Sequence, residues 1–75
     1  MQYGNVNIGA KVRWIRKHKR MSQREFAESI GISKSYLGDI ELNRKRHFTD
    51  ALDSLCKKLN MTIDELINID ENGEI

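Results

Sequence analysis

The sequence predicts an all-α fold of five short helices, and three features carry that prediction. Apolar residues recur at three- and four-residue intervals along the 75-residue chain, the period of helices with one buried face. A hydroxyl or amide residue stands ahead of each apolar series, at Asn7, Ser22, Ser33, Thr49 and Thr62, where such side chains cap free backbone N–H groups. A composition of 39% hydrophobic and 32% charged residues suits one small folded unit rather than a disordered chain.

Helix 1 is expected over about residues 8 to 18, with Asn7 as its cap and Ile8, Val12 and Ile15 on one stripe. Arg16 lies beside that stripe. Trp14 falls off it, so its ring either covers the edge of helix 5 or faces a partner. Helix 2 opens on Ser22-Gln23-Arg24-Glu25, a capping box in which Ser22 and Glu25 satisfy each other's amides. It ends at Gly31, where a left-handed backbone costs glycine nothing. Ser33 caps helix 3, which continues to about Leu42, and Asn43 tolerates the left-handed conformation that often closes a helix. A basic loop, Asn43 to His47, follows. Thr49 starts helix 4, with Leu52, Leu55, Cys56 and Leu59 inward and Asp50 and Asp53 near its positive end. Thr62 to Glu65 forms a second capping box ahead of a short helix 5 carrying Ile63, Leu66 and Ile67. Residues 70–75 read as an acidic tail, so a single domain is expected over 1–75, with its core at about 7–69.

Gln23 to Leu42 is the most informative stretch. Phe26, Ala27, Ile30, Gly31, Ile32, Leu37 and Ile40 fall in the order that a helix-turn-helix needs. Ala27 lets the second helix cross close to the first, and Ile30 and Ile32 are expected to point into a shared core. Charge is divided along the chain. Up to residue 48 there are eleven Lys/Arg against four Asp/Glu, a net +7; beyond it, two against seven give −5. A basic half holding this motif fits a face turned toward a polyanion.

Other classes find little support. There is no long apolar run and no basic-then-apolar leader, so an intracellular, cytoplasmic protein is expected. One cysteine cannot form an internal disulfide, and Cys56 reads as a small buried hydrophobe. His18 and His47 lie far apart without a further ligand at metal spacing, so no metal is expected. No Ser/His/Asp set or glycine-rich phosphate loop is visible, and neither an enzyme nor a cofactor is expected.

On these residues the chain resembles the Xre family, the Cro- and phage-repressor-type helix-turn-helix regulators. The resemblance spans about residues 8 to 67. It rests on Ile8-Gly9, Val12 to Arg16, Ser22-Gln23, Phe26-Ala27, Gly31, Ser33, Tyr36-Leu37, Ile40-Glu41, Leu59 to Thr62 and Asp64 to Leu66. It implies a compact five-helix repressor-type DNA-binding domain, bacterial or phage-encoded, that acts as a dimer on pseudo-palindromic operators. Three positions depart from the family pattern. Asn43 stands where glycine is frequent, His47 and Phe48 where proline and serine are, and Leu42 where arginine often follows the glutamate.

In such a motif the second helix enters the major groove, whose base edges carry a readable code. Lys34, Ser35 and Asp39 are the expected base readers. Lys34 can donate to guanine, while Asp39 either accepts from a cytosine amino group or repels a phosphate. Gly38 permits close backbone approach. Phosphates are expected at Gln23, Ser33, Tyr36, Asn43, Arg44, Lys45 and Arg46; Arg24 is a weaker candidate, since Glu28 stands four residues on. The resemblance implies a structural ion pair between Arg16 and Glu41. It also points to a homodimer through the end of helix 4 and helix 5, for which Met61, Ile63, Leu66, Ile67 and Ile69 offer an apolar surface small enough that the dimer is expected to be weak off DNA. The expected function is a sequence-specific double-stranded DNA-binding repressor. The alternative is an interaction module, such as an antitoxin or antirepressor, built on the same fold.

Overall fold

Among the described residues the apolar stripes form five helices in chain order: α1 (Ile8–His18), α2 (Gln23–Ile30), α3 (Lys34–Glu41), α4 (Thr49–Leu59) and α5 (Ile63–Ile67). They are seen in a computed structural model that describes residues 6–44 and 49–73. Asn7 Oδ1 accepts from the Ala10 amide at the start of α1. Ser22 with Glu25, and Thr62 with Glu65, complete reciprocal capping boxes on α2 and α5. Ser33 Oγ accepts from the Tyr36 amide on α3. Losing any one such cap costs about 1 kcal/mol. The Ser22 amide, with help from its hydroxyl, holds the Glu25 carboxyl below the usual carboxylate range.

Gly31 ends α2 at φ 76°, and the Ile32 amide turns back to the Ala27 carbonyl at 3.0 Å. That left-handed residue redirects the chain into α3. Ala27 is buried between the two helices. The core gathers Ile8, Val12 and Ile15 from α1, Phe26 and Ala27 from α2, and Leu37 and Ile40 from α3. Leu52, Leu55 and Cys56 from α4 and Leu66 from α5 complete it. Each large member contributes about 1.5–3 kcal/mol of burial. Ile30, Ile32 and Leu59 stop half-buried at the rim of this cluster rather than inside it.

One dimer residue needs correction. Leu66 is fully buried, because the face of α5 that carries it packs onto the monomer core, so it has no surface to offer a partner. Met61, Ile63, Ile67 and Ile69 are half-buried around it. Trp14 also lies half-buried against the core and stacks on His18, with ring centroids 4.8 Å apart. Its Nε1 is buried without an acceptor among the described residues.

The acidic stretch from residue 70 is tied down where it begins. Lys11, on the inner side of α1, donates to the Ile69 carbonyl and, at 2.7 Å, to the Glu71 carboxylate. The hydrogen bond from Lys11 holds the Glu71 carboxyl below its ordinary range. Among the described residues no helix is long and apolar enough to cross a membrane.

Candidate nucleic-acid interface

Leu37, Ile40 and Glu41 are the buried residues of α3, and they fix which way the helix faces. At 100° per residue, Ser35 and Asp39 stand opposite them, with Gly38 and Tyr36 on either flank. Lys34 differs. Three residues before Leu37 and seven before Glu41, it belongs to the core-side flank, and it is exposed at the first turn of the helix. It therefore projects from the N-terminal end of α3 rather than from its outer pole. A helix with side chains is about 10–12 Å across and fits a major groove of about 12 Å.

The far end of α3 is anchored by polar side chains. Arg16 Nε and Nη2 donate to Glu41 Oε2 and Oε1 at 2.8 and 3.1 Å, a two-pronged pair, and Nη1 reaches the Met21 carbonyl. Only 4% of the Glu41 side chain is exposed. Gln23 Nε2 donates to the same Glu41 at 3.2 Å, so one amide hydrogen assigned to phosphate is spent on this pair. The Gln23 carbonyl oxygen and its remaining hydrogen are left for other contacts.

A second anchor joins the same end of α3 to the start of α1. Asn43, at φ 56°, accepts from the Gly9 amide at 3.0 Å and donates to Asn7 Oδ1 at 2.8 Å. Its side chain thus holds α1, while Asn43 stays exposed and its second Nδ2 hydrogen is left for other contacts. Gly9 permits this contact. A Cβ there would lie 2.6 Å from the Glu41 carbonyl and 2.8 Å from Asn43 Oδ1, and nearer still to the Ile40 carbonyl. The signal in the sequence was a glycine directly after the first core residue of α1; its contact, 34 residues away, was not visible.

The remaining site residues divide plainly. Ser33 is engaged through its oxygen as the α3 cap but keeps its hydroxyl hydrogen. Tyr36 is exposed. Arg44 lies 3.6 Å from Asp39, so Asp39 faces a cation of its own chain. Arg24 pairs with Glu28 on the open surface, where such a contact contributes little. Lys45 and Arg46, with His47 and Phe48, lie outside the described residues. Leu42 is exposed at the end of α3. Cys56 is buried, and burial pushes its thiol pKa up, which suits packing and not nucleophilic chemistry. Among the described residues no cluster of His, Cys, Asp and Glu could hold a metal ion.

A family model described as helix-turn-helix matches residues 12–66. The immunity repressor protein of Bacillus phage phi105 is 27% identical over 62 residues, 83% of this chain and 43% of its own length. The uncharacterized HTH-type transcriptional regulator YazB of Bacillus subtilis (strain 168) is 36% identical over 58 residues, 77% of this chain and 84% of that protein. The crystal structure of the clp gene regulator ClgR from C. glutamicum superimposes with a TM-score of 0.62 at 32% identity, covering 80% of this chain and 78% of that one. The chain thus spans less than half of the phage repressor it matches.

Proposed function

The chain belongs to the Xre-type helix-turn-helix family, and from that premise we propose that it is a sequence-specific double-stranded DNA-binding transcriptional regulator. The family is one of regulators, not of enzymes. One observation carries the reading: α3 has an exposed polar face while Leu37, Ile40 and Glu41 lock its opposite side. Such a helix is aimed and left vacant, as groove reading requires. Lys34 and Ser35 are assigned to base edges. Asp39 is assigned to the Arg44 contact as well as to base selection. Arg44, Tyr36, Ser33 and the free part of Gln23 hold phosphates.

Repression of a pseudo-palindromic operator as a homodimer is the fuller form of this proposal, with a cytoplasmic site of action. A single module reads a short half-site, and two copies would read half-sites about 34 Å apart. Met61, Ile63, Ile67 and Ile69 supply the apolar surface, and its small extent makes a dimer that forms mainly on DNA. Binding profiles across a mutated operator library test the assignment. Lys34→Ala is expected to lose about 1–3 kcal/mol of discrimination at one base position, whereas Arg44→Ala weakens all sequences evenly and lowers the salt slope by about one unit. Uniform loss in both variants would remove Lys34 from base reading.

A further inference from the structure

Ahead of Glu25 the chain carries seven Lys/Arg and no Asp/Glu. Three of the seven have carboxylate partners: Lys11 with Glu71, Arg16 with Glu41, and Arg24 with Glu28. Arg13, Lys17, Lys19 and Arg20 are exposed, and none has a carboxylate partner among the described residues.

Two of these four border the anchored end of α3. Arg13 stands four residues after Gly9 and three before Arg16, so it shares their flank of α1. That flank meets the end of α3, since Gly9 binds Asn43 and Arg16 binds Glu41. Arg44 follows Asn43 directly. Arg20 sits in the turn between α1 and α2, and the next residue, Met21, is held by Arg16 through its carbonyl. Arg20 also has φ 57°. Among the described residues the two other non-glycine residues with positive φ are Asn43 and Asn60, of a type that tolerates this conformation. An arginine there retains backbone strain that glycine would release, and such strain gathers where function requires a side chain.

We propose that Arg13 and Arg20 form a second phosphate-binding row, on the α1 flank, that grips the duplex backbone beside the half-site read by α3. Both guanidinium groups can hold phosphate oxygens in two-pronged fashion. Their flank adjoins Arg44, so one continuous backbone can meet all three. The row rests on the DNA-binding reading above and adds footprint without adding sequence information.

The test is a salt titration of binding to a random-sequence duplex by the full chain, with Arg13→Gln and Arg20→Gly as variants. Each is expected to weaken binding severalfold at moderate salt and to lower the slope of log K against log salt by about 0.9. Arg20→Gly is expected to raise the melting temperature at the same time, a combination that damage to the fold cannot produce. Sedimentation of the same variants checks self-association. If the wild type shows no salt-dependent binding, the DNA reading itself fails. If the wild type binds steeply and both variants keep its slope, only the α1 row fails. Unchanged slopes with altered self-association would assign this flank to the acidic half of a second copy and overturn the proposal.

Discussion

Glu41, in the last turn of α3, accepts two hydrogen bonds from Arg16, one at each carboxylate oxygen, and a third from Gln23 at Oε1. Lys34 and Ser35, in the first turn of the same helix, are exposed and have no side-chain partner among the described residues. At the inner end, polar groups are committed to one another in a dry setting where each lost contact is costly. In the first turn they are solvated and uncommitted. The difference teaches how a domain of this size makes a recognition surface. A reading helix needs both a vacant face and a fixed aim, and the side chains that supply the aim are different from those that read.

The largest expected effect comes from breaking the aim. Glu41→Ala leaves the Arg16 guanidinium half-buried without its carboxylate and should cost about 3 kcal/mol. A lower urea midpoint at unchanged m-value would show it. DNA affinity in the folded variant should fall for every sequence, because α3 is displaced as a unit. Glu41→Gln keeps the shape and an acceptor and should lose less. Wild-type stability in Glu41→Ala would mean that the apolar contacts of Leu37 and Ile40 set the helix alone.

A smaller effect should follow from the other anchored flank of α1, and it carries a pH signature. The Glu71 carboxyl is held below its usual range chiefly by the hydrogen bond from Lys11. A group whose folded pKa is depressed contributes stability above its unfolded pKa and loses it as pH falls through the folded one. The Lys11–Glu71 contact should therefore be fully present at neutral pH and vanish in acid. Glu25 is depressed by its capping box in the same direction, so acid unfolding of the wild type alone cannot separate them. The difference between wild type and Glu71→Gln can. The two urea midpoints should differ at neutral pH and converge toward low pH; parallel curves would show that Glu71 does not contribute through its charge.

Local features of this fold were legible, and distant ones were not. The caps at Asn7, Ser22, Ser33 and Thr62 and the left-handed turn at Gly31 were readable because each is decided within a few residues. Lys11 carried an unused clue. It lies three residues after Ile8 and four before Ile15, on the apolar stripe itself, where a cation must find a partner. That partner, Glu71, is 60 residues away. Asn43 announced its backbone conformation but not its hold on Gly9. In α5, Ile63, Leu66 and Ile67 share one face at helical spacing, so spacing could not say that Leu66 is core while its neighbours reach the surface. On α3, helical phase separated Lys34 from Ser35 and Asp39 only once Glu41 was known to be buried.

The smallest expected effect lies on the outer face and runs in two directions. A Cβ built on Gly38 meets nothing within 4 Å, so the monomer has no packing reason for glycine inside α3. Gly38→Ala should therefore stabilise the fold by about 0.5–1 kcal/mol through helix propensity, read as a higher melting temperature. Gly38 nevertheless flanks the pole marked by Ser35 and Asp39, where a duplex would approach. If the groove edge comes close to the helix backbone there, the added methyl group must collide with it, and affinity for the operator should fall while stability rises. A stabilised variant with unchanged affinity would show that the duplex stands off at Gly38, and would confine base reading to the first turn of α3, at Lys34 and Ser35.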